Sequence, residues 1–340
     1  MSESLVIEQL RLSHQAEPAA RRAAAGVAGG SGPRPILSGV DLTVAPGEFV
    51  ALVGSSGSGK TMTAMALATL TPFPGRVSGT IKFHGTDLDD LERREQDKLL
   101  GTELAIVFQD PMASLNPVLR IGTQMTQGVR RHRGLSREQA RRAAVAALNE
   151  VKIPAAEKQL RRYPHEFSGG MRQRTMIAVG LMKQPSVLIA DEPTTALDVT
   201  IQAQIMDLLG QVNENHDTAI ILISHDLALI SQNCHRVLVM YAGRVVEELN
   251  AKDLTTSARH PYTRALVGAV PQTGQPQDAP LVEIKGEVPD LASLPLGCPF
   301  HPRCPHAVDV CRAEPPPLLR RDAGHRIACH VANADQDFRT

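Results

Sequence analysis

Eight consecutive residues, Gly54-Ser55-Ser56-Gly57-Ser58-Gly59-Lys60-Thr61, constrain this chain more than any other stretch. They follow an apolar run, Glu48-Phe-Val-Ala-Leu-Val53, and lead into Thr61-Met-Thr-Ala-Met-Ala-Leu-Ala68, which is helical in composition. Strand, glycine loop and helix in that order form a cradle for phosphate. Glycines let successive backbone N–H groups turn towards the anion, and the helix N-terminus adds positive potential. Lys60 would reach the β- and γ-oxygens of a bound nucleotide, and the Thr61 hydroxyl would hold Mg2+.

The rest of the chain supplies a setting for such a loop. Val6 to Leu12 alternates as an opening strand. Val187 to Ala190 and Ala219 to Ile223 are short β-rich runs separated by a helical stretch around Val199 to Asn213, which predicts a parallel sheet covered on both faces. From about Pro117 to Pro164 the sequence is charged, Ala-rich and helical. There Ser136-Arg-Glu-Gln139 fits a capping box ahead of an Ala143, Ala144, Ala147, Leu148 and Val151 face. Ala16 to Pro35 has no apolar period and reads as a loop. Its Arg and Ala content is that of a transit peptide, but it lies behind Glu3 and Glu8 and inside a strand pair.

Charge and hydropathy exclude several classes. Lys plus Arg and Asp plus Glu both number 36, so no global field attracts nucleic acid or an anionic lipid surface, and recognition must be local. No window reaches the roughly 18 apolar residues needed to span a bilayer, and Met1-Ser2-Glu3-Ser4 lacks a basic, then apolar, secretory leader. Service to a membrane would be by docking from the cytoplasm.

Two further motifs carry chemistry. Val187-Leu-Ile-Ala-Asp191-Glu192 is an apolar strand ending in two carboxylates, Asp191 suited to the Mg2+ shell and Glu192 to polarising a water. Phe167-Ser168-Gly169-Gly170-Met171-Arg172-Gln173 puts a serine and two glycines at a helix N-terminus, a second anion site that a P-loop protein does not need for its own nucleotide.

This second site resembles the signature motif of ABC ATPases, in which Ser168, Gly169, Gly170 and Gln173 would close on ATP held by an opposite subunit. The resemblance extends to Gln109 as the Q-loop glutamine and His225 as the switch histidine. It makes Asp198 of Ala196-Leu197-Asp198 the D-loop residue at a dimer seam. The family's adenine-stacking position falls near His14, where an aromatic residue is usual. The implied fold is α/β: a P-loop core with an antiparallel β-subdomain, an inserted helical subdomain and a small Cys-rich C-terminal appendage. Residues 1–260 would form the ABC ATPase domain, with the helical subdomain at about 110–182, and residues 261–340 the extension.

Asp110-Pro-Met-Ala-Ser-Leu-Asn-Pro117, Tyr163-Pro-His-Glu-Phe-Ser168 and His260-Pro-Tyr-Thr263 look like the dipeptide and oligopeptide importers. That branch implies an ATPase at the cytoplasmic face of the membrane, two permease subunits, a second and commonly different ATPase, and an extracytoplasmic peptide-binding protein. Asp110 to Pro117 would lie near the permease. A nickel-chelate or other small-solute importer would use the same engine. A nucleic-acid maintenance ATPase is disfavoured by the zero net charge, so no nucleic-acid partner is expected.

Four of five cysteines, Cys298, Cys304, Cys311 and Cys329, crowd the proline-rich tail, and this clustering argues for a metal in a core-poor segment. Spacing alone does not choose the metal. The resemblance implies a [4Fe–4S] cluster, with Zn2+ as the alternative. His301, His306, His325 and His330 could replace a ligand but read as surface residues, and Cys234 reads as a buried small hydrophobe.

Overall fold

The structure, a computed structural model, describes residues 3–14, 34–72, 75–195, 197–270, 284–287 and 289–334. In chain order the first elements are β1 (Leu5–His14), β2 (Arg34–Val44), β3 (Phe49–Val53), α1 (Lys60–Leu67), β4 (Gly75–Phe83), β5 (Thr86–Asp87), α2 (Arg93–Glu103) and β6 (Leu104–Val107). Next come α3 (Ile121–His132), α4 (Arg137–Glu150), α5 (Gly169–Leu181), β7 (Val187–Asp191), α6 (Val199–His216) and β8 (Ala219–Ile223). The last are α7 (Leu227–Asn233), β9 (Arg236–Tyr241), β10 (Arg244–Asn250), α8 (Pro261–Gly268), β11 (Leu319–Asp322) and β12 (His325–Ile327), with shorter helical turns between them. Strands β2, β1, β4 and β5 form a four-stranded sheet in that order.

The chain divides into two compact units, the first comprising Met1–Val6, Thr43–Val50 and Lys82–Ser224. Its centre is a parallel run: β6 pairs β7 from Leu104↔Val187 to Val107↔Ala190, and β7 pairs β8 from Val187↔Ala219 to Asp191↔Ile223. Both β7 and β8 are buried at every position. That burial accounts for their unbroken apolar sequence, since a parallel strand covered on two faces has no solvent side to alternate with.

Between β6 and β7, α3 buries Ile121, Met125 and Val129 at four-residue spacing, and α4 packs on it through Ala140, Ala144, Ala147 and Leu148. The capping box at Ser136 is formed. Its hydroxyl accepts the Gln139 N–H at 3.2 Å and the Gln139 amide oxygen accepts the Ser136 N–H at 2.9 Å. Such a cap contributes about 1 kcal/mol.

The second unit comprises Ile7–Leu42, Ala51–Ile81 and His225–Thr340. Strand β10 pairs β9 antiparallel, and on its other edge pairs β12 through Glu247↔Ile327 and Glu248↔Arg326; β12 in turn pairs β11. The tail therefore adds two strands to this sheet. Phe300, 2% exposed, inserts among Tyr241, Tyr262 and His260 with ring centroids 5.2, 5.5 and 6.0 Å away. Arg34 and Pro35 begin β2 instead of ending a loop, a strand start being a position where proline is tolerated. The rest of that predicted loop lies outside the described residues.

Candidate nucleotide site

The phosphate loop belongs to the second unit and leaves β3 as predicted. Gly54 has φ +152°, and a Cβ there would meet the Met240 carbonyl oxygen at 2.3 Å, so only glycine fits between the loop and β9. The turn closes through Ser58 N–H to Ser55 C=O, and Ser58 C=O accepts the Gly243 N–H at 2.9 Å. Lys60, 8% exposed, donates to Gly54 C=O at 2.8 Å and Ser55 C=O at 3.0 Å, which holds its ammonium over the loop. Thr61 is the second residue of α1, so its amide belongs to the unsatisfied helix start that favours an anion.

One residue that organises this loop was not anticipated. Tyr262, fully buried on α8, accepts the Ser55 N–H on its hydroxyl at 2.7 Å. Its place is set by His260, which caps α8 by accepting the Tyr262 N–H at 3.1 Å on Nδ1. Burial lowers the His260 pKa to about 4, partly opposed by the Glu247 carboxylate, so the ring is neutral and able to accept. Glu247, with no exposed surface, accepts from Arg259 N–H at 2.7 Å and His260 N–H at 3.1 Å, and lies 2.8 Å from His325 Nε2. In the sequence, His260-Pro-Tyr-Thr263 marks a branch of the family and names no role in the loop. That motif was the available signal.

In the first unit, Asp191 ends β7 and is 3% exposed. Glu192 follows with φ +46°, a left-handed conformation that costs a non-glycine residue about 1–2 kcal/mol, and its N–H donates to Ile223 C=O at 2.8 Å. Its Oε2 accepts from Gln109 Nε2 at 2.9 Å and from Thr195 Oγ1 at 2.9 Å. Gln109 and Glu192 are thus brought together, and Thr195 is an added partner of the same carboxylate. Within this unit Gln109 and Asp191 offer amide and carboxylate oxygens, hard donors of the kind that suit Mg2+.

The signature lies on the same unit. Ser168 caps α5, its hydroxyl accepting the Met171 N–H at 3.4 Å, and Gly169 and Gly170 are the first two helical residues. Ser168, Gly169, Gly170 and Asp198 all line one cavity of about 540 Å3, with Lys152 and Arg174 also on its wall. Asp198 caps α6 by accepting the Ile201 N–H at 2.9 Å. Gln173 is buried within α5, 2% exposed, and does not line that cavity. His225 is exposed in the second unit just before α7, and His14 is half-buried at the end of β1. Ala196 lies outside the described residues.

The metal expected in the tail is not borne out. Among the described residues no group of three or more His, Cys, Asp or Glu is placed to hold a metal ion, so the [4Fe–4S] reading of Cys298, Cys304, Cys311 and Cys329, with its zinc alternative, is withdrawn. The physical premise also fails, because this segment buries Phe300, Ile327 and Val331 and joins β10 through β12. Burial pushes the Cys298 thiol up to about 11 and raises Cys304 and Cys329, so the free thiols are neutral at pH 7. His325 is a second correction, since Glu247 draws it into the interior at 8% exposure. Cys234 is buried, and its pKa is raised to about 12 by that burial.

A phosphate loop, a strand ending in paired carboxylates and a second glycine-rich helix start define the class as an ABC-type P-loop ATPase. Comparison with known proteins agrees: residues 37–195 match the ABC transporter family, and residues 246–311 match the oligopeptide/dipeptide transporter C-terminal region. The chain is 47% identical to the oligopeptide transport ATP-binding protein OppD of Salmonella typhimurium, over 86% of this chain and 87% of that protein. It is 44% identical to the dipeptide transport ATP-binding protein DppD of Escherichia coli, over 88% and 92%. A solved dimeric, post-hydrolysis ATP-binding cassette, MJ0796 bound to ADP and Pi, superposes with a TM-score of 0.60 at 25% identity, covering 73% of this chain and 98% of that one. The chain belongs to the family of ATP-binding subunits of oligopeptide and dipeptide ABC transporters, and it is an ATPase of that class. Both relatives are named for ATP binding.

Proposed function

We propose that this chain hydrolyses ATP to drive import of di- and oligopeptides across the cytoplasmic membrane. The observation that carries the reading is the cavity shared by Ser168, Gly169, Gly170 and Asp198, a second phosphate-binding device in a chain that already has a phosphate loop. A second device makes sense if it serves the ATP of an opposite ATPase subunit.

In this reading the amides of Gly54 to Thr61 wrap the phosphates and Lys60 neutralises the β- and γ-oxygens. His14 lies at the adenine. Mg2+, held by Thr61, Gln109 and Asp191, would add charge neutralisation at the same oxygens. Glu192, held by Gln109 and Thr195, orients a water and accepts its proton as the water oxygen bonds to the γ-phosphorus. The bond from that phosphorus to the β–γ bridging oxygen breaks, leaving ADP and phosphate. His225 contacts the γ-phosphate, and Ser168, Gly169, Gly170 and Gln173 complete the partner's site with Asp198 at the seam.

Residues 1–260 serve as the ATPase domain, residues of about 110–182 as its inserted helical subdomain, and residues 261–340 as a Cys-rich appendage. The partners are two permease subunits, a second and different ATPase, and an extracytoplasmic peptide-binding protein. No helix among the described residues is long and apolar enough to cross a membrane, which suits attachment at the cytoplasmic face through the permeases. Asp110 to Pro117 is the docking segment. Asp110 caps a short helical turn by accepting the Met112 N–H at 2.7 Å, and Met112 and nearby Val118 stand 46% and 75% exposed.

The experiment is Glu192→Gln, with nucleotide binding and turnover measured together. Turnover should fall by about two to four orders of magnitude with binding retained, because the amide cannot take the proton. Near-normal turnover would refute the role of Glu192.

A further inference from the structure

A cavity of about 870 Å3 in the first unit is lined by six arginines, Arg120, Arg130, Arg131, Arg137, Arg141 and Arg161, and by no carboxylate. It shares no residue with the signature cavity. The whole chain is neutral, yet residues 120–162 hold nine arginines and two lysines against three glutamates. Those glutamates are committed. Glu157 pairs Arg141 at 2.5 Å, Glu138 pairs Arg142 at 2.8 Å, and Glu150 meets His216 at 2.5 Å. Among the described residues no carboxylate pairs with Arg130, Arg131, Arg137 or Arg161.

Helix electrostatics explain only part of this. Arg130 and Arg131 occupy the last turn of α3, where the negative end of the helix favours cations. Arg120 occupies the N-cap of α3 and Arg137 the first position of α4, where the positive helix end disfavours them. At those two corners guanidinium and helix dipole add instead of cancelling. Like charge gathered around one cavity is unfavourable unless an anion offsets it. Guanidinium groups present paired N–H donors that match phosphate oxygens, and a cavity of this size takes more than one phosphate.

We propose that this cavity binds a polyanion bearing two or more phosphate groups, either a soluble polyphosphate or the clustered headgroups of an anionic bilayer, in addition to ATP at its own site. The shared chemistry is phosphate held by forked guanidinium groups, and the source of the phosphate is what the test separates.

The full chain, saturated with Mg2+ and ADP so that the phosphate loop is filled, is titrated with tripolyphosphate by calorimetry. In parallel it is sedimented with phosphatidylcholine vesicles with and without phosphatidylglycerol, at about 0.15 M salt. Binding in the first arm assigns a soluble ligand, and phosphatidylglycerol-dependent sedimentation assigns a lipid surface. In either arm Arg130→Ala/Arg137→Ala should weaken binding about tenfold or more and flatten its salt dependence. Melting temperature should not fall and basal ATPase should stay unchanged, since both side chains are exposed and outside the hydrolytic site. Failure of both probes to bind the wild type, or equal binding by the double variant, overturns the proposal.

Discussion

Replacing Tyr262 by Phe removes one oxygen and leaves the ring, which keeps its packing on Tyr241 at 4.6 Å and on Phe300 at 5.5 Å. What is lost is the acceptor for the Ser55 N–H, a 2.7 Å hydrogen bond made by a side chain with no solvent exposure. Ser55 itself is half-buried, so the amide is left short of a partner at a cost towards the lower end of about 1–3 kcal/mol. That amide lies in the phosphate loop, one residue after Gly54, so part of the loss should appear as a loosened cradle. If about 1–2 kcal/mol reaches the nucleotide, Kd for Mg2+-bound ADP rises about 5- to 30-fold at 25 °C. The hydrolytic carboxylates belong to other segments, so kcat at saturation should change much less than KM. Calorimetric titration with ADP, alongside steady-state turnover, reads both quantities. The control is Tyr241→Phe, whose hydroxyl has its named contact with Arg303 at 3.5 Å and none in the phosphate loop, and which should leave Kd unaltered. An unchanged Kd and an unchanged melting temperature in Tyr262→Phe would refute the claim that this hydroxyl organises the loop.

Other outcomes are equally specific. Gly54→Ala should abolish nucleotide binding or folding, because the added methyl sits 2.3 Å from the Met240 carbonyl oxygen; a variant that binds ADP normally would contradict the fit described for the loop. His260 has a folded pKa of about 4 against about 6.5 when unfolded, so the folded chain binds fewer protons in between. Its contribution is whole above pH 6.5 and is lost as pH falls towards 4. That amounts to about 2 kcal/mol between pH 7 and pH 5, which His260→Asn, an acceptor that does not titrate, should remove; parallel pH profiles of denaturant unfolding would count against it. Glu192→Gln and the paired arginine substitution test hydrolysis and the polyanion cavity as described above.

Features built from neighbouring residues are legible in the amino-acid order. The glycine loop between β3 and α1, the Ser136 capping box, the strands at Ala219 to Ile223 and Val187 to Asp191, and the Ser168 helix start all follow from short-range chemistry. Each needs only period, cap or glycine, and those are written in adjacent letters. The tail shows the limit of that reasoning. Clustered cysteines and prolines suggested a segment too poor in core to fold without a metal, whereas Phe300 among three rings and β12 on β10 give it burial that composition does not reveal. His325 looked like surface until Glu247, 78 residues earlier, came within 2.8 Å.

The class of chemistry was therefore set by residue order, because phosphate binding at a helix start demands a particular succession of small, cationic and hydroxyl residues over eight positions. Which distant groups serve that chemistry depends on packing. Tyr262 reaches Ser55 across 207 residues, Gln109 reaches Glu192 across 83, and arginines from three segments gather around one cavity. The reason is physical: local propensities act through backbone bonds a few residues long, but burial and charge respond to whatever the packed chain brings alongside.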